Sequence, residues 1–344
     1  MSLWDEIHEQ PAALSRSLSD TRPAVREAAR LLAGPDVAYA LIAARGSSDN
    51  AARYAQYLWG ARNGLVVALA APALVDGSGR APSLAGAAVM AFSQSGRSPD
   101  VVGVLEEGGR QGRPTIAVTN DSASPLAQAA DVVVDLRVGP ERSVAATKTY
   151  TGQLLAAAAI SARLAGDREM GSSLERVPGW VSEALAVSAV VAGTIDAVGD
   201  RDRCVILGRG VHLATAFEWA LKLQELCAVA ALPYSTADFQ HGPVAMAEPG
   251  LPVLAVAPGG RLQPDLLELL ERLRAERGID PVVVSDDAGA LALGRGIPLP
   301  AGVPGWASPM AAAAVAQLFC HHLASRLGLD PDAPRGLRKV TRTR

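Results

Sequence analysis

The chain has 344 residues, of which 49% are hydrophobic and only 4% aromatic, and its formal net charge is −3. This composition is typical of an α/β core of small aliphatic side chains, and it excludes a disordered chain or nucleic-acid binding by bulk charge. Three widely separated cysteines exclude a disulfide framework, and the lack of a signal-peptide pattern or a bilayer-length apolar run predicts a cytoplasmic protein without membrane contact.

The first part of the chain alternates between apolar runs and helical segments. Residues 1–34 are predicted to form one or two packing helices. The strands predicted after them are Val37–Ala44, Val66–Ala71, Ala87–Phe92, Pro114–Val118 and Asp131–Leu136. The helices predicted among these strands are Asp49–Leu58, Asp100–Gln111 and Ser124–Ala129. This alternation predicts a doubly wound parallel sheet flanked by helices, in which ligands bind beyond the carboxyl ends of the strands.

The same pattern then repeats. Two long Ala-rich helices, Thr147–Leu164 and roughly Leu174–Val198, are predicted to lead into strands at Cys204–Leu207, Val253–Ala257 and Val282–Val284. The matched landmarks are Gly46 with Gly210, Gly96 with Gly260, and Asn120 with Asp286. Their offsets of 164, 164 and 166 residues predict a duplicated α/β unit.

The duplication gives a predicted domain organisation. Its parts are an N-terminal helical segment (1–34), a first domain (35–165), connecting helices (166–198), a second domain (199–330) and a C-terminal tail (331–344).

A hydroxyl-rich loop follows the third predicted strand. Its polar residues are Ser93, Gln94, Ser95 and Ser98. They precede a helix that starts near Pro99, so free backbone N–H groups and the helix dipole favour an anion there, and hydroxyls add uncharged donors. The matching stretch of the second copy, Pro258-Gly259-Gly260, has no hydroxyls. We therefore expect one phosphate site per chain, in the first copy.

Charged residues recur on one helix of the second copy. Glu218, Lys222 and Glu225 are spaced i, i+4 and i+7, so they share a helix face. A solvated row of ion pairs is the commonest meaning of such spacing. Apolar neighbours favour a partly buried, functional row instead; they are Ala220, Leu221, Leu223 and Leu226.

Six motifs, in order along the chain, resemble those of the sugar isomerase (SIS) domain proteins, and within them the isomerase half of glutamine–fructose-6-phosphate aminotransferase. The motifs are Ala-Arg-Gly-Ser-Ser (44–48), Ser-Gln-Ser-Gly (93–96), Val-Ala-Ala-Thr-Lys (144–148), Glu-Trp-Ala-Leu-Lys-Leu-Gln-Glu (218–225), Gln-His-Gly-Pro (240–243) and Pro-Arg-Gly-Leu-Arg-Lys (334–339). The resemblance implies two tandem SIS domains in a homodimer that acts on a hexose 6-phosphate.

The resemblance also implies a set of substrate ligands. They are Ser47, Ser48, Ser93, Gln94, Ser95, Ser98, Val144 and Ala145. A helix N-cap would explain one of the first two serines equally well. Ala146 replaces a serine that is usual in the family, so one substrate hydrogen bond is expected to be lost there. Arg97 replaces an acidic residue, and it either adds positive potential near the phosphate or faces solvent.

The catalytic residues implied by the resemblance are Glu225, Lys222, His241 and Lys339. Glu225 would move a proton between C1 and C2 of the open-chain sugar, and Lys222 would hold the sugar oxygens. His241 would open the ring, and in relatives this histidine comes from the neighbouring subunit. Lys339 would polarise the sugar carbonyl or form a Schiff base with it. Without the resemblance, residues 335–344 would be a basic tail that binds anions nonspecifically.

Three functions remain open from the sequence. No glutaminase-like segment or N-terminal catalytic cysteine is found, which favours a stand-alone deaminase-isomerase that converts glucosamine 6-phosphate to fructose 6-phosphate and ammonia. The first alternative is a dehydratase of N-acetylglucosamine 6-phosphate that uses the same enolate. The second is a sugar-phosphate sensor without catalysis, although the acidic N-terminal segment is not a basic DNA reader. No cluster of His and Cys has metal-ligand spacing, so we expect neither metal nor cofactor.

Overall fold

The strands of the first half form where the apolar runs of the sequence predict them. The computed structural model describes residues 2–76 and 81–339. Strands β1–β5 are Tyr39–Ala43, Val66–Leu69, Ala87–Ser93, Thr115–Thr119 and Val132–Asp135. They pair in parallel in the order β2-β1-β3-β4-β5, with Tyr39 opposite both Val66 and Ala87. Every residue of β3 is buried, because a parallel strand is covered by helices on both faces.

The second half repeats this sheet. Strands β6–β10 are Arg203–Gly208, Ala230–Ser235, Val253–Val256, Val282–Ser285 and Arg295–Pro298. Their parallel order is β10-β9-β8-β6-β7, which is the order of the first sheet when β6 is matched to β1. The prediction of two tandem, doubly wound α/β domains is therefore confirmed.

Helices fill the connections. The α-helices of the first half are α1 Leu3–Asp20, α2 Arg22–Leu32, α3 Ser47–Asn63, α4 Ala73–Asp76, α5 Pro99–Arg110, α6 Pro125–Gln128, α7 Lys148–Leu164 and α8 Arg168–Ser173. Those of the second half are α9 Val177–Leu185, α10 Ser188–Ala192, α11 His212–Cys227, α12 Thr236–Gln240, α13 Gln263–Arg277, α14 Ala288–Leu291 and α15 Ser308–Arg326. Short 3-10 helices are Leu174–Arg176, Ile195–Ala197 and Pro243–Met246.

Contacts divide the chain into two compact units. The N-unit comprises residues 9–142, 148–178 and the chain from 338, and the C-unit comprises residues 143–147 and 179–337 together with the chain up to residue 8. In the C-unit, for example, the Leu3 N–H donates to Asp332 at 2.5 Å. The predicted domain boundaries after residues 34, 165, 198 and 330 follow sequence patterns rather than contacts, and they stay predictions.

One predicted element is wrong. A single long helix was expected over about Leu174–Val198, but this stretch is broken into α9, α10 and short 3-10 turns. α9 ends at Leu185, and α10 ends at Ala192, just before Gly193. This stretch contains the β-branched residues Val187, Val190 and Val191 and the poor helix former Gly193. Its intrinsic preference for one continuous helix is therefore low.

No single helix within the described ranges is long and apolar enough to cross a membrane. The bent pair Arg168–Leu185 and Ser188–Ala197 passes the same test of length and composition when it is taken together. The predicted compartment stays a prediction.

In each sheet the strand order reverses at one point, and such switch points are where doubly wound folds bind ligands. In the N-unit the reversal lies between β1 and β3, so the loops after these two strands, 44–46 and 94–98, flank it. In the C-unit it lies between β6 and β8, flanked by the loops 209–211 and 257–262.

Candidate functional site

The loop after β3 presents unused donors. Ser93 Oγ accepts the Gly96 N–H at 3.1 Å, which folds the loop back on the end of the strand. Within the described chain, the N–H groups of Ser95 and Ser98 donate to no acceptor. Ser98 precedes α5, and its hydroxyl makes no cap bond to that helix. Two backbone donors and a hydroxyl at a helix N-terminus fit an anion such as phosphate.

Gly96 is required by this loop shape. Its φ is +61°, and a Cβ there would lie 2.1 Å from Ser124 Oγ. The Gly96 carbonyl accepts the Leu126 N–H at 3.1 Å, which ties the loop to α6. A larger residue would therefore push the loop away from its support.

An ion pair joins the two loops at the switch point. Arg45, just after β1, contacts Asp100 Oδ2 with two guanidinium nitrogens at 2.7 and 2.8 Å. The Asp100 side chain is only 4% exposed and lies in the first turn of α5, whereas that of Arg45 is 49% exposed. Because Arg45 offsets the Asp100 charge, the helix N-terminus can still attract an external anion.

The two predicted serines of the first loop begin α3. Gly46 is the N-cap, with φ +56° and no side-chain cap bond, so the N-cap explanation for Ser47 or Ser48 is wrong. Ser48 is buried, and its Oγ accepts from Gln153 Nε2 at 2.9 Å. Ser47 is half-buried beside it. Ser48 thus packs α3 against α7, and substrate contact by either serine stays a prediction.

Arg97 is held at the surface. Its guanidinium pairs with Asp121 at 2.9 Å, and the two side chains are 55% and 34% exposed. The Asp121 charge offsets that of Arg97 and solvent screens both, so Arg97 adds little positive potential to the phosphate loop.

In the C-unit, the charged row on α11 is buried, and the solvated interpretation is wrong. Glu218 and Lys222 are each 1% exposed, and Glu225 is 22% exposed. Lys222 Nζ contacts both carboxylates, Glu218 at 3.6 Å and Glu225 through a short hydrogen bond. An ammonium between two carboxylates offsets the cost of burying them and fixes the direction of Glu225, the member that reaches solvent.

His241 lies apart from this row. It is exposed and follows α12, where its backbone N–H bonds to the carbonyls of Ala237 and Asp238. Among the described residues, no hydrogen bond or ion pair joins its ring to Lys222 or Glu225. Its predicted role from a neighbouring subunit stays a prediction.

Lys339 is anchored inside the N-unit by a residue that the sequence reasoning missed. Its Nζ lies 2.9 Å from Glu141 Oε2, and the Glu141 side chain is fully buried. Glu141 also accepts the Thr149 N–H at 3.0 Å and the Thr149 hydroxyl at 2.7 Å. No local sequence signal marks Glu141, which precedes the predicted helix start at Thr147 by six residues.

The motif at 144–148 is mostly buried. Ala145 is 1% exposed, so only its backbone could reach a ligand, while Val144 and Ala146 are half-buried. Lys148 is fully buried and pairs with Glu9 at 2.6 Å. Burial alone would raise the pKa of Glu9, but hydrogen bonds from Lys148 and Arg16 lower it below its usual value.

The three thiols are buried and free. Burial raises the pKa of Cys204 and of Cys227 to about 12, which makes both thiols poor nucleophiles. In the part of the chain that the structure describes, no group of three His, Cys, Asp or Glu side chains could hold a metal ion.

Comparison with known proteins identifies the family. The SIS domain family matches residues 38–163 and 199–292, one segment in each copy. The chain belongs to the SIS domain family. The isomerizing glutamine–fructose-6-phosphate aminotransferase of Thermococcus kodakarensis is 30% identical, over 97% of this chain and 56% of that protein. The chain thus spans about half the length of the curated relatives it matches.

Solved structures share the whole two-domain SIS fold. A candidate phosphosugar isomerase from Silicibacter pomeroyi DSS-3 is 32% identical, with a TM-score of 0.87 over 96% of this chain and all of that one. Glucosamine-6-phosphate deaminase from Thermotoga maritima has a TM-score of 0.81 over all of both chains, but at 22% identity this likeness concerns the fold alone. The predicted SIS resemblance is confirmed, and the prediction of an enzyme agrees with these named relatives.

Proposed function

We propose that this SIS protein is an aminosugar-6-phosphate isomerase that releases ammonia and converts glucosamine 6-phosphate into fructose 6-phosphate. The observation that carries the proposal is the buried row on α11, in which a hydrogen bond from Lys222 orients the partly exposed carboxylate of Glu225. Desolvation of such a row costs stability, and a base that abstracts a proton gives the row a chemical role. The named aminotransferase relative adds support for an aminosugar phosphate.

In this proposal the N-unit holds the phosphate. The donors are the N–H groups of Ser95 and Ser98 with the loop hydroxyls, all of them uncharged. Uncharged donors at a helix N-terminus can bind a phosphate dianion, and Arg45 offsets the charge of the nearby Asp100 carboxylate. The 6-phosphate serves as the common handle of hexose 6-phosphates, so this loop selects the substrate class and leaves the reaction to other residues.

Glu225 then acts as the proton carrier. His241 first moves the O1 proton to O5, which opens the ring and leaves an aldehyde at C1. Glu225 takes the C2 proton and returns a proton to C1, so that the C2 amine becomes an imine while the C1 aldehyde becomes an alcohol. Water hydrolyses the imine to the C2 ketone and releases ammonia. Lys222 stabilises the oxyanion of the intermediate, and Lys339, held by Glu141, is proposed to face the sugar carbonyl.

The homodimer and the cytoplasmic location belong to the same proposal. His241 is exposed in one chain, which leaves its ring accessible to a site on a second copy. Gel filtration with light scattering tests the dimer directly.

The decisive experiment is turnover with product identification. Purified protein incubated with glucosamine 6-phosphate is expected to release ammonia and fructose 6-phosphate in equal amounts. Glu225→Gln should lower kcat by about a hundredfold or more, because general-base contributions are typically of that size. Glu276→Gln, which changes an exposed carboxylate on α13, is the matched control and should keep full activity.

Other outcomes would replace the proposal. Ultraviolet-absorbing product from N-acetylglucosamine 6-phosphate, without ammonia from the amine, would identify a dehydratase. Binding of both sugars without turnover of either would identify a sensor. Full activity in Glu225→Gln would exclude Glu225 as the base.

A further inference from the structure

A cationic cavity lies in the N-unit, and none of its lining residues belongs to the phosphate loop. It has a volume of about 490 Å³ and is lined by α2, by the end of α7 and by α8, with Leu18 of α1 at its edge. This volume lies within the range of small-molecule pockets. The floor is apolar, formed by Val25, Ala162 and Leu174 among others.

Four arginines surround this cavity. They are Arg22, Arg26, Arg163 and Arg168. Arg22 pairs with Glu175 at 2.6 Å, so its charge is offset. The guanidinium groups of Arg26, Arg163 and Arg168 make no hydrogen bond or ion pair anywhere in the described ranges. Three unpaired guanidiniums around one cavity repel each other, and binding of an anion would relieve that repulsion.

The acidic residues of the lining do not neutralise these three arginines. Asp167 Oδ1 caps α8 by accepting the Met170 N–H at 2.9 Å, and Oδ2 pairs with Arg62 at 2.5 Å. These hydrogen bonds hold the pKa of Asp167 below its usual value, so it stays ionised and committed to its own partners. Glu175 is committed to Arg22. Four arginines against two carboxylates leave the lining with a net charge of +2, and both carboxylates are already paired.

The cavity is separated from the candidate lysine site along α7. Arg163 is at the carboxyl end of this helix, whereas Thr149, which bonds Glu141, is in its first turn. Fourteen residues at 1.5 Å each place the two ends about 20 Å apart. A ligand here would not touch the Glu141–Lys339 pair.

We propose that this cavity binds a compact polyvalent phosphate compound. Guanidinium groups match phosphate oxygens in bidentate geometry and remain charged at all physiological pH values. The lining has no aromatic side chain to stack on a base, which favours a pyrophosphate group or an aliphatic bisphosphate over a nucleotide. The proposal does not depend on the reaction of the SIS site.

Calorimetry with inorganic pyrophosphate at a physiological ionic strength of about 0.15 M tests the proposal. The full chain is titrated as wild type, as Arg163→Ala with Arg168→Ala, and as Arg274→Ala with Arg277→Ala. The last pair removes the same charge from exposed residues of α13, whose side chains also make no hydrogen bond or ion pair in the described ranges. The cavity variant should bind at least tenfold more weakly, whereas the control variant should match the wild type. Arg26→Ala alone should show an intermediate loss of pyrophosphate affinity, and it replaces the cavity variant in the test if that double variant is unstable.

Hydrogen exchange locates the ligand. Pyrophosphate should slow exchange in peptides covering residues 18–26 and 159–175, and it should raise the Tm of the wild type but not of the cavity variant. Equal affinity in both double variants would mean nonspecific attraction only, and protection confined to residues 93–98 would mean that the phosphate loop is the sole site. Either result, or no binding at millimolar pyrophosphate, overturns the proposal.

Discussion

The loops after β3 and β8 occupy matching places in the two copies, but they differ in whether their backbone N–H groups have an acceptor. After β3, the N–H groups of Ser95 and Ser98 have no acceptor within the described chain. After β8, the Gly259 N–H donates to Asp286 Oδ1 at 2.7 Å. A carboxylate of the chain itself thus occupies the second loop, and its charge would repel a phosphate.

Other features of the switch point are shared by the copies. Arg45 pairs with Asp100 in the first, and Arg209 pairs with Asp265 at 3.0 Å in the second. The acidic partner is 4% exposed in the first copy and 57% exposed in the second. Duplication therefore kept the ion pair that braces the two loops, while the surroundings of the donors diverged. The first SIS copy thus leaves two backbone donors without an acceptor in the described chain, and the second pairs its loop with an internal carboxylate.

The largest expected difference between the copies concerns their glycines. Gly96→Ala should destabilise the protein by about 3 kcal/mol, because the new Cβ would overlap Ser124 and the left-handed backbone would be strained. At Gly260 no atom lies within 4 Å of the position that a Cβ would take, so Gly260→Ala carries the backbone strain alone, about 1 kcal/mol. Urea denaturation of both variants measures the difference. Equal losses of unfolding free energy would show that the first loop can rearrange to accommodate a Cβ atom at Gly96.

The next expected effect is a pH dependence of stability, and it arises at a buried position where the two copies have different residues. Ser48 and His212 are 164 residues apart, at the start of α3 and α11. His212 Nε2 lies 3.0 Å from Ser308 Oγ, and burial lowers the pKa of His212 to about 3. Because the unfolded histidine titrates near 6.5, the unfolded state binds the proton first. Stability should fall as the pH drops from 6.5 toward 3, by about 2 kcal/mol at pH 5.

Urea denaturation at pH 7 and pH 5 measures this loss. His212→Asn should remove about 2 kcal/mol of the pH dependence, whereas Ser48→Ala should keep it. An unchanged pH dependence in His212→Asn would show that other groups cause the acid sensitivity.

The smallest effect tests which loop binds phosphate. Ser95→Ala together with Ser98→Ala should weaken binding of glucosamine 6-phosphate about tenfold, since the loss of hydrogen bonds to a charged group costs about 1.5 kcal/mol. Asp286→Asn should leave that affinity unchanged and lower the free energy of unfolding by about 1 kcal/mol, because Gly259 loses a charge-assisted acceptor. Calorimetry of both variants is the measurement. Stronger sugar-phosphate binding by Asp286→Asn would mean that the second loop also binds phosphate.

Most of the fold could be predicted from local patterns. The strands from β1 to β5 were each predicted to within two residues at either end, because buried parallel strands are continuous apolar runs that end in polar loops. Strands β7 and β10 were not predicted, since Pro233 and Pro298 and their half-buried positions break the apolar run. The region 174–198 was predicted wrongly, because its apolar composition does not reveal where a helix breaks.

For the candidate site, the sequence determined the residue types and the order of the motifs. It identified the hydroxyl loop, the row on α11 and the absence of hydroxyls in the second copy, because these depend on neighbours close in the chain. Only the tertiary structure decided which charges are buried and what they contact. Three contacts join residues that are far apart in sequence. The separations are 198 residues for Glu141 and Lys339, 55 for Arg45 and Asp100, and 27 for Gly259 and Asp286. Such pairs form only when the tertiary structure brings distant segments together, so no local pattern records them.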